Sequence, residues 1–227
     1  MPRTSMKPAL FFDFDNTLTE GDVLDQIIER FSPDERWRDW EHEWAEGRLP
    51  ARECLRLQIE NLRVSRETLF DYLSAVRVDP AFSDILGWAA ARDVEVSIVS
   101  DSFAPLIRNI LENNGIAPLP VFANELAFDG ARLRPSFPFA DPRCMRSANA
   151  KARHLLPYRG HRIVFAGDGH SDLDAALAAD VVFAKDTLAR ELESRSVAFR
   201  PFDTLAPVLE FLQAEYARGR AALLRLA

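Results

Sequence analysis

ALFFDFDNTLT, residues 9–19, joins a short apolar run to a group of acids. Residues 9–14 have the pattern of a buried strand whose carboxyl end carries polar groups. Asp13 and Asp15 stand one residue apart, where that strand stops and the chain turns. This segment predicts a first parallel strand with a polar site directly at its carboxyl end.

The same order, an apolar strand followed by polar residues, recurs along the chain. VEVSIV at 94–99 precedes Ser100, Asp101 and Ser102, and RIVFA at 162–166 precedes GDGHSD. Helical patterns separate the strands, so we expect an α/β fold with a Rossmann-like parallel sheet, whose chemistry gathers beyond the carboxyl ends of the strands. Further predicted elements are a helix through 106–111, a brief strand at 121–122, a hairpin turning at 129–130, helices over 143–156 and 173–179, and a strand over 181–184.

The region between the first two long strands has a different character. From Glu20 to Arg77, apolar residues recur at helical spacings and no part alternates as a strand does. We therefore expect residues 20–78 to form a small all-helical cap domain. The catalytic core would then consist of residues 1–19 and 79–227.

Carboxylates at two strand ends are the candidates for chemistry. A carboxylate can attack phosphorus when a cation neutralises the negative groups that it approaches, and Mg²⁺ suits this role because it takes hard oxygen ligands. The candidate metal ligands are Asp13, Asp15, Asp168 and Asp172. Any one of these acids is equally well explained as a turn former or helix cap, but that explanation is improbable for all of them together.

A second group of residues is expected at the phosphate. Thr17 and Ser100 offer hydroxyl groups at strand ends, and Asp101 directly follows Ser100. Lys151 would balance the negative charge. Lys151 also stands out by its rarity, because only three of the 28 basic residues are lysines. The alternative for Lys151 is a solvated surface residue.

Composition excludes several classes of function. The 227 residues carry a net charge of −7, which disfavours nucleic acid and anionic membranes as partners. No apolar run approaches the roughly 20 residues of a membrane span. Cys54 and Cys144 belong to no zinc or disulfide spacing, so we expect a cytoplasmic protein.

Four motifs in order resemble those of the haloacid dehalogenase superfamily phosphatases, over essentially the whole chain. They are DFDNTLT at 13–19, VSDS at 99–102, Lys151, and GDGHSD at 167–172. The resemblance implies an aspartyl-phosphate mechanism with Asp13 as nucleophile and Asp15 as general acid/base. It further implies phosphate binding by Ser100 and Lys151, and Mg²⁺ held by Asp168 and the main-chain carbonyl of Asp15. Asp172 would be a further metal-site acid or the partner of Lys151.

Three phosphatase groups within that superfamily remain open as relatives. The cap after the first motif resembles phosphoserine phosphatases, and VVFAKDTLARE at 181–191 is similar to the 2-hydroxy-3-keto-5-methylthiopentenyl-1-phosphate phosphatases of methionine salvage. The Ser-Asp-Ser of the second motif resembles phosphoethanolamine/phosphocholine phosphatases. Each implies a small soluble phosphomonoester as substrate.

Several residues are expected to select the leaving group. Asp22 is either a substrate contact or an N-cap, and the cap arginine of phosphoserine phosphatases would fall at Gln58, two residues after Arg56. Asp101 is expected to repel an anionic leaving group and favour a cationic one. The remaining candidates, on one helical face as cap core or as a lid over the substrate, are Trp37, Trp40 and Trp44.

Two classes of function other than phosphatase are weighed. A binding or regulatory module would keep the phosphate pocket without turnover, and a dehalogenase would use an aspartate nucleophile without Mg²⁺. The intact pair of Asp13 and Asp15 disfavours both. A monomer and a homodimer are both compatible with the sequence.

Overall fold

The computed structural model describes residues 6–224, with side chains described through residue 215. Its strands are β1 (Pro8–Phe12), β2 (Glu95–Phe103), β3 (Val121–Asp129), β4 (Arg132–Ser136), β5 (Arg162–Gly167), β6 (Val181–Ala184) and β7 (Arg200–Pro201). They form one sheet in the order β4-β3-β2-β1-β5-β6-β7. The β3–β4 pair is antiparallel and the other neighbours are parallel, which confirms the predicted α/β class.

Helices pack on both faces of this sheet, and five of them fall between its first two strands in the sequence. They are α1 (Val23–Phe31), α2 (Arg36–Ala45), α3 (Ala51–Asn61), α4 (Arg66–Leu73), α5 (Pro80–Ala90), α6 (Ala104–Asn113), α7 (Lys151–Leu155), α8 (Leu173–Ala178), α9 (Asp186–Ser194) and α10 (Ala206–Leu224). None of the helices in this described part of the chain is long and apolar enough to cross a membrane.

The central strand β1 is buried on both faces. Leu10 and Phe12 belong to the larger hydrophobic cluster on one face of the sheet. Ala9 and Phe11 belong to the smaller cluster on the other face. This double burial explains why the segment reads as a continuous apolar run without alternation.

The register of β1 brings the polar strand ends together. Phe12 pairs with Ile98 on β2 and with Ala166 on β5, and the Asp13 amide donates to the Ala166 carbonyl at 2.9 Å. The chain builds outward from β1 in opposite directions, through β2 on one side and β5 on the other. Such a switch in strand order opens a crevice at the carboxyl ends, which is where open α/β sheets bind ligands.

The bounds of several predicted elements need correction. The strand expected at 9–14 is β1, which ends at Phe12, and the strand expected at 94–99 continues to Phe103. The strand at 121–122 and the hairpin segment are one strand, β3, which turns into β4 at Gly130 with φ of 60°.

The helix predicted over 143–156 is wrong for its first half, because helix α7 begins only at Lys151. The amides of Ala148 and Asn149 donate to the Asp101 carboxylate, and the amide of Ala150 donates to the Phe139 carbonyl. These amides are therefore unavailable for helical hydrogen bonds.

Helices α1–α4 all fall within residues 20–78. An isolated antiparallel bridge joins Thr19 to Val78, where the chain leaves the sheet and returns to it. The amide of Asp79 also donates to the Leu18 carbonyl at 2.8 Å. The division of the chain into a cap and a core stays a prediction.

Candidate active site

A cavity of about 170 Å³ lies at the carboxyl ends of β1, β2 and β5. Its floor is formed by strand-end residues, among them Asp13, Ser100 and Asp168, together with Lys151. A second wall, the helical wall, is formed by residues of helices α1, α2 and α3. Ligand pockets for drug-sized molecules typically measure about 300–1,000 Å³, so this cavity suits a small ligand.

Lys151 lies at the centre of the floor and is buried. Its Nζ is 3.0 Å from Asp13 Oδ1 and 2.7 Å from Asp172 Oδ1, and it donates to Ser171 Oγ at 2.9 Å. Burial acts to lower the pKa of Lys151, but the charges of Asp13 and Asp172 outweigh it, so this pKa is raised. Lys151 is therefore a fixed positive charge between two carboxylates.

Asp172 organises the turn that follows β5. Its Oδ2 accepts hydrogen bonds from the amides of Asp168 and Gly169, each at 3.0 Å, while its Oδ1 is held by Lys151. A Cβ on Gly167 would lie 2.7 Å from Asp172 Cγ. Glycine is therefore required there. The contact of Asp172 with Lys151 agrees with one of the two roles predicted for Asp172, and its role as a metal-site acid stays a prediction.

Asp168 is held in place by the loop that follows β1. Thr17 Oγ1 donates to its Oδ1 at 3.1 Å, and Asn16 Nδ2 donates to its Oδ2 at 2.8 Å. Asn16 has φ of 51°, a left-handed conformation that asparagine tolerates, and it also donates to Asp186 Oδ2. Burial, and then the charge of Asp172, raises the pKa of Asp168 to about 6. Thr17, expected at the phosphate, instead orients Asp168.

The carboxylates of the floor fit a divalent cation. Asp13, Asp168 and Asp172 each offer one oxygen, and these atoms lie within 4.8 Å of one another. Asp13 Oδ1 is buried and accepts no hydrogen bond from the described residues, although it pairs with the Lys151 charge. Asp172 is occupied by Lys151 and two amides and does not line the cavity, so Asp13 and Asp168, which do line it, are the acids that would hold the cation. One or two carboxylates plus substrate phosphate is the usual Mg²⁺ set.

The burial of Asp13 has an electrostatic consequence of its own. Loss of water, followed by repulsion from Asp172, raises the pKa of Asp13 well above its usual value, although Lys151 acts against this. A cation bound between Asp13 and Asp168 would oppose the same repulsion, since an opposite charge favours the ionised form of a carboxyl group.

Asp15 connects the floor to the helical wall. Its Oδ1 accepts hydrogen bonds from the amides of Val23 at 3.1 Å and Leu24 at 3.3 Å, at the start of α1. Burial, and then repulsion from Asp22, raises the pKa of Asp15 well above its usual value. A carboxyl group with a raised pKa binds a proton more readily than an ordinary one, which is the property that general-acid catalysis uses.

The end of β2 contributes Ser100 and Asp101. Ser100 is buried, lines the cavity, and its Oγ accepts the Ser102 amide at 3.0 Å. Asp101 also lines the cavity, but its carboxylate accepts hydrogen bonds from Ser147 Oγ and from the amides of Ala148 and Asn149. A carboxylate offers no donor to phosphate, so these contacts do not match the expected phosphate-binding role.

The helical wall of the cavity is acidic. Asp22 caps α1 by accepting the Asp25 amide at 2.8 Å and also lines the cavity. Its position is therefore compatible with both predicted roles, N-cap and substrate contact. Asp25 and Glu41 lie beside it in the lining. Gln58 lines the cavity too, and its Nε2 donates to Glu41 Oε2 at 3.1 Å.

Arg56 does not reach the cavity. It pairs with Glu53 and with Glu60 on its own helix, the latter at 2.6 Å. Within the part of the chain that the structure describes, Lys151 is the one lysine or arginine in the lining. The expectation that Arg56 contributes to substrate selection is therefore not met, because i to i+3 and i to i+4 neighbours hold the guanidinium.

The three tryptophans of α2 separate into different environments. Trp37 packs against the larger hydrophobic cluster, as the cap-core interpretation predicts. Trp44 lines the cavity, and its ring is 6.3 Å from that of His170 in an edge-to-face arrangement. Arg36 lies over the ring of Trp40, 5.6 Å from its centre.

Sequence reasoning missed the residues that hold the floor in place. They are Asn16, Ser102, Asn149 and Ser171, which bond to the backbone or side chains of the predicted residues, and Asp186, which accepts a hydrogen bond from Asn16. All but Asn149 and Asp186 stand within or next to a predicted motif, so their position in DFDNTLT, VSDS and GDGHSD was a usable signal.

Comparison with known proteins identifies the family of this chain. Residues 10–177 match the model of a family described as haloacid dehalogenase-like hydrolase. The chain belongs to the haloacid dehalogenase-like hydrolases. Within this family it is a phosphatase, a phosphoric monoester hydrolase, as its relatives are.

Two relatives illustrate the range of similar phosphatases. The chain is 27% identical over 216 residues to a 2-hydroxy-3-keto-5-methylthiopentenyl-1-phosphate phosphatase of Brevibacillus brevis, covering 92% of this chain and 96% of the relative. It is 29% identical over 227 residues to a polyol phosphate phosphatase of Saccharomyces cerevisiae, covering 90% of this chain and 92% of the relative.

Solved structures agree on the fold. A substrate-bound phosphoserine phosphatase superimposes with a TM-score of 0.68 at 20% identity, covering 91% of this chain and 98% of that one. A probable phosphoserine phosphatase of Vibrio cholerae gives a TM-score of 0.72 at 20% identity, covering 97% of this chain and 68% of that one. These likenesses concern the architecture.

Proposed function

We propose that this phosphatase hydrolyses a small phosphomonoester with Mg²⁺, through a phosphoryl group carried on Asp13, with residues 20–78 as its cap. The observation that carries the proposal is the arrangement around Lys151 Nζ, which lies 3.0 Å from Asp13 Oδ1 and 2.7 Å from Asp172 Oδ1. Asp172 secures the lysine, so that its charge stays beside the attacking carboxylate. A bound Mg²⁺ would supply further neutralisation of the phosphate oxygens and of Asp13 and Asp168.

The proposed reaction balances within the residues of the floor. An Asp13 carboxylate oxygen forms a bond to phosphorus, and the bond from phosphorus to the leaving oxygen breaks. Asp15 donates its proton to that oxygen, then accepts a proton from the water that attacks phosphorus. The bond between Asp13 and phosphorus breaks, which releases inorganic phosphate. Lys151 and the Ser100 hydroxyl stabilise the charge on the transferring group.

Phosphate release with and without metal tests this proposal. Purified protein with Mg²⁺ should hydrolyse a generic phosphomonoester such as p-nitrophenyl phosphate, lose that activity on addition of EDTA, and regain it when excess Mg²⁺ is supplied. Turnover that is unchanged after exhaustive EDTA treatment would contradict the role of a divalent ion. Absence of turnover on a broad panel of phosphomonoesters would contradict the proposal as a whole.

The acidic wall favours one alternative for the leaving group. Asp22, Asp25 and Glu41 face the cavity, and Arg56, the residue nearest in sequence to the expected carboxylate-binding position, is held by its own helix. Carboxylates beside the aromatic ring of Trp44 suit a positively charged group, and they repel a carboxylate. This observation favours amino-alcohol phosphates over phosphoserine, while the overall similarity in sequence favours methionine-salvage substrates.

A matched pair of substrates decides between these leaving groups. Phosphocholine and 3,3-dimethylbutyl phosphate have the same shape and differ by a quaternary nitrogen in place of carbon. An amino-alcohol phosphatase should prefer phosphocholine in kcat/KM by about tenfold, a difference of ~1.4 kcal/mol. Glu41→Gln should reduce that preference, whereas Glu43→Gln, an exposed change on the same helix outside the cavity lining, should leave it. Equal kcat/KM values for the two substrates would reject the cationic leaving group.

A further inference from the structure

Asp101 makes its contacts with the segment that leads into Lys151. Its Oδ1 accepts hydrogen bonds from Ser147 Oγ at 2.8 Å and from the Asn149 amide at 3.1 Å. Its Oδ2 accepts the Ala148 amide at 2.7 Å. One carboxylate on β2 therefore holds three consecutive residues that lie 46 to 48 positions further along the chain.

Residues 147–149 are also hydrogen-bonded to the sheet through the Asn149 side chain. Asn149 Nδ2 donates to the carbonyls of Ser100 at 2.9 Å and Phe122 at 2.8 Å, and its Oδ1 contacts His154 Nε2 at 2.9 Å. The Asp101 carbonyl in turn accepts Asn124 Nδ2 at 2.6 Å. Asp101 is thus fixed on β2 and β3 while it fixes residues 147–149.

Lys151 lies only two residues after the hydrogen-bonded segment 147–149. Residues 143–150 have no helix, and α7 has five residues, so local secondary structure alone does little to place the lysine. The Lys151 amide donates back to the Asn149 carbonyl, within the tied segment. The position of the Lys151 backbone therefore depends on contacts with the end of β2.

We infer that Asp101 is a positioning residue, which sets the place of the Lys151 ammonium beside Asp13 by holding residues 147–149 against β2. The inference rests on the proposed function, in which Lys151 stabilises the transferring phosphoryl group. Asp101 touches neither phosphate nor metal in this role. It acts through Lys151, so its removal should lower kcat more than it raises KM.

Asp101→Asn and a matched control test the inference. The control is Asp180→Asn, since Asp180 is also half-buried and its Oδ2 accepts a backbone amide, that of Ile163 at 2.9 Å, away from the cavity lining. Both variants lose a carboxylate that binds backbone. Only Asp101→Asn should lower kcat on p-nitrophenyl phosphate, by about tenfold or more, with KM changed less than threefold. Ser147→Ala, which removes one donor, should have a smaller effect in the same direction.

A second readout does not need turnover. The chain has three lysines, Lys7, Lys151 and Lys185, so reductive methylation followed by mass spectrometry reports each one separately. Lys151 is buried and should resist labelling in the parent and in Asp180→Asn. In Asp101→Asn, the fraction of Lys151 that is methylated should rise several-fold. Ser147→Ala keeps this comparison available if Asp101→Asn fails to fold.

The outcomes separate the two proposals. If the parent lacks phosphatase activity, the proposed function fails and the labelling of Lys151 still decides the inference. If the parent is active but Asp101→Asn keeps its kcat within twofold and leaves Lys151 unlabelled, the inference is overturned. Equal losses of kcat in Asp101→Asn and Asp180→Asn would also overturn it, because the effect would then be one of general stability.

Discussion

Two walls line the cavity, the sheet wall (the floor at the strand ends) and the helical wall, and they carry similar charges but are built differently. On the sheet wall, Asp13 and Asp168 are at least half-buried, and each is linked to Lys151 or to the loop after β1. Asp172, which is buried and does not line the cavity, holds Lys151. On the helical wall, Asp25 is exposed and Glu41 half-buried. Asp22 accepts the Asp25 amide, and Gln58 donates to Glu41, so both side chains are held by residues of the helical wall. Among the described residues that line the cavity, the sheet wall has one lysine or arginine, Lys151, and the helical wall has none.

This difference separates the reaction from the choice of substrate. A carboxylate that is fixed by several hydrogen bonds can stabilise a defined transition state, because it needs no rearrangement during the reaction. Carboxylates on a partly exposed wall act mainly through the charge that they present to a ligand. We therefore expect changes on the sheet wall to reduce turnover, and changes on the helical wall to alter which substrate is preferred.

The largest effect should come from Asp13→Asn. This change removes the proposed attacking oxygen, so we expect kcat to fall by about 1,000-fold or more, ~4 kcal/mol in the activation barrier. Because burial raises the pKa of Asp13, its ionised form lowers stability near neutral pH, and the variant should melt at the same temperature as the parent or higher in metal-free buffer.

Calorimetry and phosphate release measure these two quantities on one preparation. Asp174→Asn, an exposed change on α8, serves as the control and should alter neither. A variant at Asp13 that retains a tenth of the parent activity would show that the attacking group lies elsewhere on the wall.

A somewhat smaller loss of activity should follow Lys151→Met. The change leaves Asp13 and Asp172 buried without their cation, and breaking a buried pair in this way costs about 3–5 kcal/mol of stability. We expect kcat to fall by about 100-fold as well, ~2.7 kcal/mol in the barrier. Denaturant unfolding and steady-state kinetics report the two effects.

Lys185→Met is the control for the lysine prediction. Lys185 Nζ lies over the ring of Phe202, 5.3 Å from its centre, and outside the cavity lining. Its replacement should cost no more than about 1 kcal/mol and leave kcat unchanged. Similar losses in both lysine variants would mean that the sheet wall is not organised around Lys151.

The support of Asp168 gives a more moderate test. Thr17→Val keeps the shape of the side chain and removes the hydrogen bond to Asp168 Oδ1. Loss of such a supporting contact typically weakens metal binding about 10–100-fold, so the Mg²⁺ concentration for half-maximal activity should rise, while kcat at saturating Mg²⁺ stays near that of the parent.

Thr19→Val separates this effect from general loosening of the loop. Thr19 Oγ1 donates to the carbonyls of Phe14 and Gly21 rather than to a carboxylate. Its replacement should leave the Mg²⁺ requirement unchanged. An unchanged Mg²⁺ requirement in Thr17→Val would argue against Asp168 as a metal ligand.

The comparison of the walls also explains what the sequence could predict. The sheet wall follows from strand ends, because the register of β1 with β2 and β5 brings together residues that directly follow apolar runs. The roles of Thr17 and Asp101 did not follow, because their partners are Asp168 and residues 147–149, far away in the sequence. Periodicity reports which face of an element is apolar and contains no information about such contacts.

The helical wall was harder to predict for a related reason. Trp37 and Trp44 lie seven residues apart on α2, yet one packs in the core and the other lines the cavity. Spacing placed them on one helical face, but the helix passes from the hydrophobic cluster to the cavity along its length. Asp25 and Glu41 carry no motif, and only the packing of α1 and α2 brings them together.

The smallest expected effect is a pH dependence of substrate preference. Asp25 is exposed but lines the cavity, and partial loss of surrounding water there, followed by repulsion from Asp22, Glu41, Glu29 and Asp168, raises its pKa to about 8. Below that pH Asp25 holds a proton and is neutral, and above it the carboxylate attracts a cation. If the leaving group is cationic, its binding should therefore strengthen as the pH rises through 8.

The ratio of KM values for phosphocholine and 3,3-dimethylbutyl phosphate isolates this effect, because changes in the ionisation of the phosphate or of the sheet wall act on both substrates alike. Between pH 6 and pH 9 the ratio should fall about threefold, ~0.7 kcal/mol, in the parent. Asp25→Asn should flatten the dependence, because the carboxyl group with a pKa of about 8 is gone. A ratio that rises with pH, or the same slope in Asp25→Asn, would assign the preference to groups other than the helical wall.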